Sequence, residues 1–257
     1  MEVQRYDSLK VRRTSLAPAN DEELLIAQNK LLCPACNGRK THHVPDGLSQ
    51  CHCAHLLRWW GEFSKNVPPH DLFVDLATLQ PNDKSRLPAE RQQKIIVDLR
   101  KDPLKSYAFF GPAGTSKTTF SVGLYRIALH YSPYHTWRIS AKTLMDEYVT
   151  EATTRESNGK PPKPTVNRAK IACAATSGKV PRLFLEEIDK VKLTEFKINS
   201  LFEIFDAMYE NQGQLVFNTN MTIAKFGEYF GPETGPAMVR RVGEMCEIYD
   251  FYEDVRG

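Results

Sequence analysis

The 257-residue chain has no run of about 18 apolar residues, so no segment reads as a transmembrane helix. Its first residues, MEVQRYDSLKVRR, lack the apolar core of a secretory leader, and a protein that stays in the cytoplasm is expected. Charge imbalance is also missing. Lys and Arg number 34 against 31 Asp and Glu, and a net +3 does not by itself imply a polyanionic partner. Cysteine is scarce and unevenly placed: four of the six lie between positions 33 and 53. Without a leader, such clustering implies metal ligation rather than disulfides. The length suffices for one sizeable α/β domain plus a small appendage.

What is present is organised around Tyr107–Thr119, reading YAFFGPAGTSKTT. Tyr107-Ala108-Phe109-Phe110 reads as a buried strand, the loop breaks at Gly111-Pro112, and 117–130 reads as a helix. Strand, glycine-rich loop and helix is the setting of a phosphate-binding loop. The pattern G-x-x-x-x-G-K-[ST] is met at Gly111, Lys117 and Thr118, with Ser116 at the second glycine position. Gly111 and Gly114 let backbone N–H groups curl around phosphate oxygens, and the helix N-terminus adds donors and partial positive charge. Lys117 suits the β- and γ-phosphates of ATP, and the Thr118 hydroxyl suits Mg²⁺. Pro112, Ala113, Thr115 and Thr119 complete the loop. Ser116 is small enough for the turn but lacks glycine's freedom at positive φ.

A second chemical element lies about 70 residues after Lys117, in PRLFLEEIDK. Leu183–Leu185 reads as a short buried strand that delivers Glu186 and Glu187 at its end. The first acid can hold Mg²⁺ through water, and the second can orient and deprotonate an attacking water. Leu215-Val216-Phe217 is a further strand, ending in Asn218-Thr219-Asn220. A polar side chain at that tip would lie between the two motifs and sense the γ-phosphate; a plain polar turn is the alternative.

The N-terminal cysteines follow C-x2-C-x14-C-x-C, with Cys33, Cys36, Cys51 and Cys53. Four thiolates satisfy a tetrahedral structural zinc, though His42, His43, His52 and His55 are near enough in sequence to replace one of them. Asn20 before Asp21-Glu22-Glu23 resembles a capped helix start, with Leu24, Leu25, Leu31 and Leu32 as its stripe. Residues 55–63, HLLRWWGEF, read as a helix whose Trp59, Trp60 and Phe63 either stack bases or cover the metal module. Val67-Pro68-Pro69-His70 marks a linker, Pro88 opens a helix carrying Ile95, Ile96 and Leu99, and Asp102-Pro103 ends it. The implied organisation is a helix and zinc module in 1–66, linker and leading helix in 67–104, and the core in 105–257. Within that core, Tyr134–Ile139 and Cys246–Phe251 read as strands, and 141–149, 194–211 and 238–242 as helices. The breaker-rich 151–165 reads as an exposed loop whose Lys160 and Lys163, with Arg168 and Lys170 beyond, are either solvated charge or DNA contacts.

Together, GPAGTSKTT and LFLEEIDK resemble the Walker A and Walker B motifs of AAA+ ATPases, with Glu186 where aspartate is usual. Asn218-Thr219-Asn220 is similar to the sensor strand of the group that contains the helicase loader DnaC and the transposition helper IstB. The resemblance covers 70–257. It implies an α/β fold, a parallel sheet flanked by helices and lacking a helical lid. It implies ATP hydrolysis with Mg²⁺, with Asn220 as the sensor. It also implies a homo-oligomer in the ATP state, in which an arginine of one subunit reaches the next subunit's nucleotide. Arg241 matches that position best, with Arg240 and Arg256 as competitors. The partners implied are single-stranded DNA, contacted by Lys160, Lys163, Arg168 and Lys170, and a hexameric helicase. The IstB-like alternative is duplex DNA and a transposase, and a third is a nucleotide-dependent switch with little hydrolysis. The setting implied is the cytoplasm of a bacterial or phage-infected cell.

Overall fold

A computed structural model describes residues 25–26, 28–30, 32–34, 36–37, 39–44, 47–153 and 180–255. In chain order the strands and helices are β1 (Thr41–Val44), β2 (Gly47–Gln50), α1 (His52–Asn66), α2 (Ala89–Lys101), β3 (Tyr107–Phe110), α3 (Lys117–Tyr131), β4 (Thr136–Ser140), α4 (Ala141–Thr153), β5 (Arg182–Glu186), α5 (Glu195–Glu210), β6 (Gln214–Thr219), α6 (Ile223–Tyr229), α7 (Gly231–Met245) and β7 (Glu247–Asp250).

The five later strands form one sheet in the order β4-β5-β6-β3-β7, and every pairing is parallel. Parallel strands need crossovers, and the helices that make them cover both faces. The central strands are therefore mostly apolar, β3 wholly so, and their alternation shows in which core each residue joins. Tyr107 and Phe109 of β3 pack with Phe184, Val216, Tyr249 and residues of α1, α2 and α3 on one face. Ala108 and Phe110 pack with Leu185, Phe217 and residues of α4, α5, α6 and α7 on the other. The fold is the flanked parallel sheet that the sequence predicts, with a small N-terminal module.

That module is an antiparallel hairpin, β1 on β2, with Cys33 and Cys36 before it and Cys51 and Cys53 after it. Helix α1 leaves the cysteines and runs longer than the 55–63 read from sequence, from 52 to 66. Trp59 and Phe63 are fully buried on α3, where the Trp59 indole N–H donates to the Arg126 carbonyl at 3.2 Å. Their role is docking, and neither ring is open to a nucleic-acid base. Ile26 is buried and Leu25 exposed, while the helix start predicted at Asn20 lies outside the described residues.

Residues 72–87, without a clear period in sequence, are irregular chain whose backbone is satisfied by side chains of α2. Arg100 donates to the carbonyls of Leu76 and Leu79, both at 2.7 Å, and buried Gln92 bonds Asn82 and Leu87. The second strand begins two residues later than predicted, at Thr136, because the chain first closes a turn in which the His135 N–H donates to the Ser132 carbonyl at 3.2 Å. Helix α6, which sequence reading did not anticipate, starts on Thr222, whose hydroxyl accepts from the Lys225 N–H. Helix α7 extends the predicted 238–242 segment to 231–245, opening on Pro232, where the missing N–H costs nothing.

Helices α6 and α7 cross at two glycines. A Cβ at Gly235 would lie 2.0 Å from the Gly227 carbonyl oxygen, whereas one at Gly243, on the same helix, meets nothing within 4 Å. Gly235→Ala is expected to lose at least ~1–3 kcal/mol through overpacking. Gly243→Ala should gain about 0.5–1 kcal/mol from helix propensity. Urea unfolding of the two variants checks both signs.

Candidate functional site

The carboxyl ends of β3, β5 and β6 converge on one edge of the sheet, where open α/β sheets place their ligands. β6 is hydrogen-bonded between the other two, so its tip stands between the phosphate loop after β3 and the acid pair after β5. The Gly111 N–H donates to the Thr219 carbonyl at 3.2 Å, which fastens the loop to that tip.

Three residues of the loop take positive φ: Gly111 at 151°, Gly114 at 82° and Ser116 at 62°. Gly111 is held to glycine a second way, since a Cβ there would sit 2.6 Å from Phe251 Cβ. Ser116 adopts the left-handed conformation that glycine takes freely, at a strain of about 1–2 kcal/mol. No side chain caps α3, whose first N–H groups remain directed at the loop's concavity. Ala113, Gly114 and Thr118 are exposed, and Thr115 is buried with its hydroxyl on the Pro112 carbonyl at 2.9 Å.

Lys117 is buried, and its ammonium donates to the carbonyls of Gly111 and Pro112 at 2.7 Å each and to Asn220 Oδ1 at 3.1 Å. Burial lowers its pKa to about 8, against the opposing pull of Asp189 and Glu187. Asn220 reaches the lysine from the β6 tip and is itself held by Asp189: its N–H and Nδ2 donate to the two carboxylate oxygens at 2.9 and 3.0 Å.

Glu186 is buried and accepts from Ser121 Oγ at 2.7 Å, Arg138 Nε at 3.1 Å and Asn218 Nδ2. Glu187 is exposed and has φ 55° and ψ 55°, a conformation that costs a non-glycine residue about 1–3 kcal/mol. Its N–H donates to Asn218 Oδ1 at 2.8 Å. One asparagine thus fixes both acids.

Three residues that sequence reading did not single out belong to this site, Ser121, Arg138 and Asp189, while Asn218, read only as part of the 218–220 tip, proves to bond both acids. Arg138 was legible as a lone cation inside a strand, and Asp189 as the last acid of LEEIDK. Ser121 stands one helical turn after Lys117, with nothing in the sequence to mark it. The segment before α2 also reaches the loop, with the Arg86 N–H donating to the Gly114 carbonyl at 2.8 Å.

The cradle of positive-φ residues, the uncapped helix and Lys117 fit a nucleotide's phosphates. Mg²⁺ is fitted by the exposed Thr118 hydroxyl and, through water, by Glu186. Three of that carboxylate's roughly four acceptor sites are already used within the protein.

At the N-terminal module the sulfurs of Cys33, Cys36, Cys51 and Cys53 all lie within 4.8 Å of one another. Cys33 and Cys51 are 3.7 Å apart, Cys36 and Cys53 3.4 Å. A tetrahedral ion at about 2.3 Å from each sulfur requires separations of about 3.8 Å, so the cluster fits it. His55 is turned elsewhere, with Nε2 2.9 Å from the His130 carbonyl oxygen.

Of the paired arginines, Arg241 is engaged within its own subunit, 2.5 Å from Asp206 Oδ1 and stacked 4.0 Å over the Tyr209 ring. Arg240 is 70% exposed, with Glu244 3.8 Å away. Lys160, Lys163, Arg168, Lys170 and Arg256 lie outside the described residues. Among the described residues no helix is long and apolar enough to cross a membrane.

No protein-family model and no curated protein matches the chain. Solved structures do. The DnaC helicase loader superposes with a TM-score of 0.51 at 17% identity, over 70% of this chain and 98% of that one. DnaI superposes with a TM-score of 0.52 at 15% identity, over 72% of this chain and 94% of that one. At these identities the likeness is one of fold. The chain therefore shares with these two structures a parallel sheet flanked by helices, with a four-cysteine module added on its N-terminal side.

Proposed function

We propose that the chain binds and hydrolyses ATP with Mg²⁺ and acts on DNA as a loader of a replicative helicase. The observation that carries the nucleotide reading is the position of Lys117, buried between the loop carbonyls and Asn220 beside the Glu186-Glu187 turn. Lys117 would bind the β- and γ-phosphates, and Thr118 and Glu186 would hold Mg²⁺, which when bound neutralises phosphate charge. Glu187 would take the proton of the attacking water, and Asn220 would orient the γ-phosphate. The loader role is supported by the fold shared with the DnaC helicase loader over 98% of the chain in that structure. DNA contact is assigned to Lys160, Lys163, Arg168 and Lys170. A second reading, a switch that binds nucleotide but hydrolyses little, is favoured by one observation: Glu186 is tied to Ser121, Arg138 and Asn218. Single-turnover ATP hydrolysis with and without single-stranded DNA separates the two.

Lys117→Ala should abolish nucleotide binding in a fluorescent-nucleotide titration, and unchanged affinity would defeat the reading. The pH dependence is a sharper check. With its pKa lowered to about 8, Lys117 of the free protein is charged below that pH and neutral above it. Binding above pH 8 must then take up a proton, so affinity should fall by up to about tenfold per pH unit between 8 and 10. Lys117→Arg stays charged throughout. It should bind with an affinity that is flat over the same range.

The four cysteines are assigned one structural zinc. Elemental analysis of metal-replete protein should give one zinc per chain, and Cys36→Ser should lower that occupancy and the melting temperature. Well under one zinc in the wild type would remove the assignment.

Hydrolysis is assigned to a site shared between subunits, with Glu187 acting in its own subunit and Arg241 on the neighbour's nucleotide. A trans arginine of this kind is worth roughly 10³–10⁵ in rate. Arg241→Ala and Glu187→Gln should each be inactive alone and regain part of the activity when mixed. If Arg241→Ala hydrolyses normally while exposed Arg240→Ala does not, the role passes to Arg240.

A further inference from the structure

Arg138 joins two parts of the molecule that sequence and fold describe separately. Its guanidinium Nε donates to Glu186 Oε1 at 3.1 Å, and its Nη1 donates to the Asn66 carbonyl at 2.5 Å. Asn66 is the last residue of α1, the helix that begins inside the cysteine cluster, and its carbonyl is one that the helix itself leaves unpaired. The side chains of Arg138 and Glu186 are 10% and 9% exposed, so water screens the pair little. One planar cation therefore bridges the negative end of the cysteine module's helix and the first acid of the nucleotide site.

We propose that Arg138 is a positioning residue that sets the protein's affinity for Mg²⁺, by holding Glu186 as a competing cation, and that α1 determines where it stands. The inference rests on the nucleotide reading above. Three features carry it. A glutamate at 186 reaches one methylene further than the aspartate usual in the motif, and here its carboxylate reaches both Arg138 and Ser121. A fixed positive charge on a carboxylate opposes a second cation at the same group by simple repulsion. The guanidinium fork is also shaped to make two bonds at once, which a lysine's point charge cannot reproduce across Glu186 and Asn66.

The test is a Mg²⁺ titration of fluorescent-ATP binding to the full-length wild type, Arg138→Gln and Arg138→Lys, with thermal melting run in parallel. Arg138→Gln should lower the Mg²⁺ concentration for half-maximal binding by about tenfold, since one opposing charge is gone. Arg138→Lys keeps the charge but loses the bridge, so its midpoint should fall by a smaller factor, about two- to threefold, with the fold retained. If Arg138→Gln does not fold, the lysine variant decides alone. A midpoint within experimental error of wild type, or one that rises, in the folded variants overturns the proposal. A merely structural role would lower the melting temperature and leave the Mg²⁺ midpoint in place, which also overturns it. A wild type that binds no nucleotide at any Mg²⁺ concentration strikes the nucleotide reading itself, which separates the two failures.

Discussion

β6 is hydrogen-bonded to β3 on one side and β5 on the other, and the arrangement of the site follows from that pairing. All three strands run the same way, so their carboxyl ends meet at one edge. The register sets Phe110 beside Thr219 and Leu185 beside Phe217, so the phosphate loop and the acid pair emerge on either side of the 218–220 tip. Asn218 then reaches both acids and Asn220 reaches Lys117 without any loop having to fold over. A sheet in which β3 and β5 were neighbours would leave the lysine and the acids without this polar partition. The core beneath the edge leaves no slack, because Phe110, Phe217 and Phe226 pack edge to face or stacked with centroids 5.4–5.6 Å apart. Removing such a ring costs about 3–5 kcal/mol, so the register is defended by packing.

Electrostatics at the edge are governed by burial more than by the number of charges. The exposed pair Lys142–Asp146 is screened by water and contributes little. Breaking a pair as buried as Arg138–Glu186 costs about 3–5 kcal/mol, because the carboxylate left behind is uncompensated. Lys117 meets the same problem differently. It has no ion pair at contact distance among the described residues and is solvated by two carbonyls and an amide oxygen, which keep its donors satisfied while burial still lowers its pKa. A cation held in this way is ready for an anionic ligand, since the desolvation cost has already been met by the fold.

The elements most legible in the sequence were those with physical punctuation. The β3 strand, its loop and α3 were marked by an apolar run, glycines and a lysine at fixed spacing, and the four cysteines by their own arithmetic. Residues 72–87 were illegible because they follow neither helical nor strand period; side chains of α2 hold them, and that is tertiary information. Helix α6 was missed because its seven residues, IAKFGEY, bury only Phe226 and show no stripe. Ser121 and Arg138 could not be placed because their relation to Glu186 spans 65 and 48 residues of chain. The sequence shows that a polar residue sits in a strand; it does not show which charge lies across the sheet.

The phosphate-loop helix is held at both ends by different parts of the chain. Its N-terminus closes the loop, and its last turn carries carbonyls that the helix cannot satisfy itself. Helix α1 meets it there, with His55 within hydrogen-bond distance of the His130 carbonyl and the Trp59 indole bonded to the Arg126 carbonyl one turn earlier. The cysteines share one hydrophobic cluster with Trp59, Phe63, Phe120 and Tyr125, so the module is packed into the core and is not a bead on a tether. A fifteen-residue helix spans about 22 Å, rigid over that length. Disorder in the cysteine cluster would loosen α1, undock the far end of α3 and release the Asn66 anchor of Arg138 in one event. On the proposal that Arg138 positions Glu186, the cysteine cluster and the candidate phosphate site are linked through one helix pair.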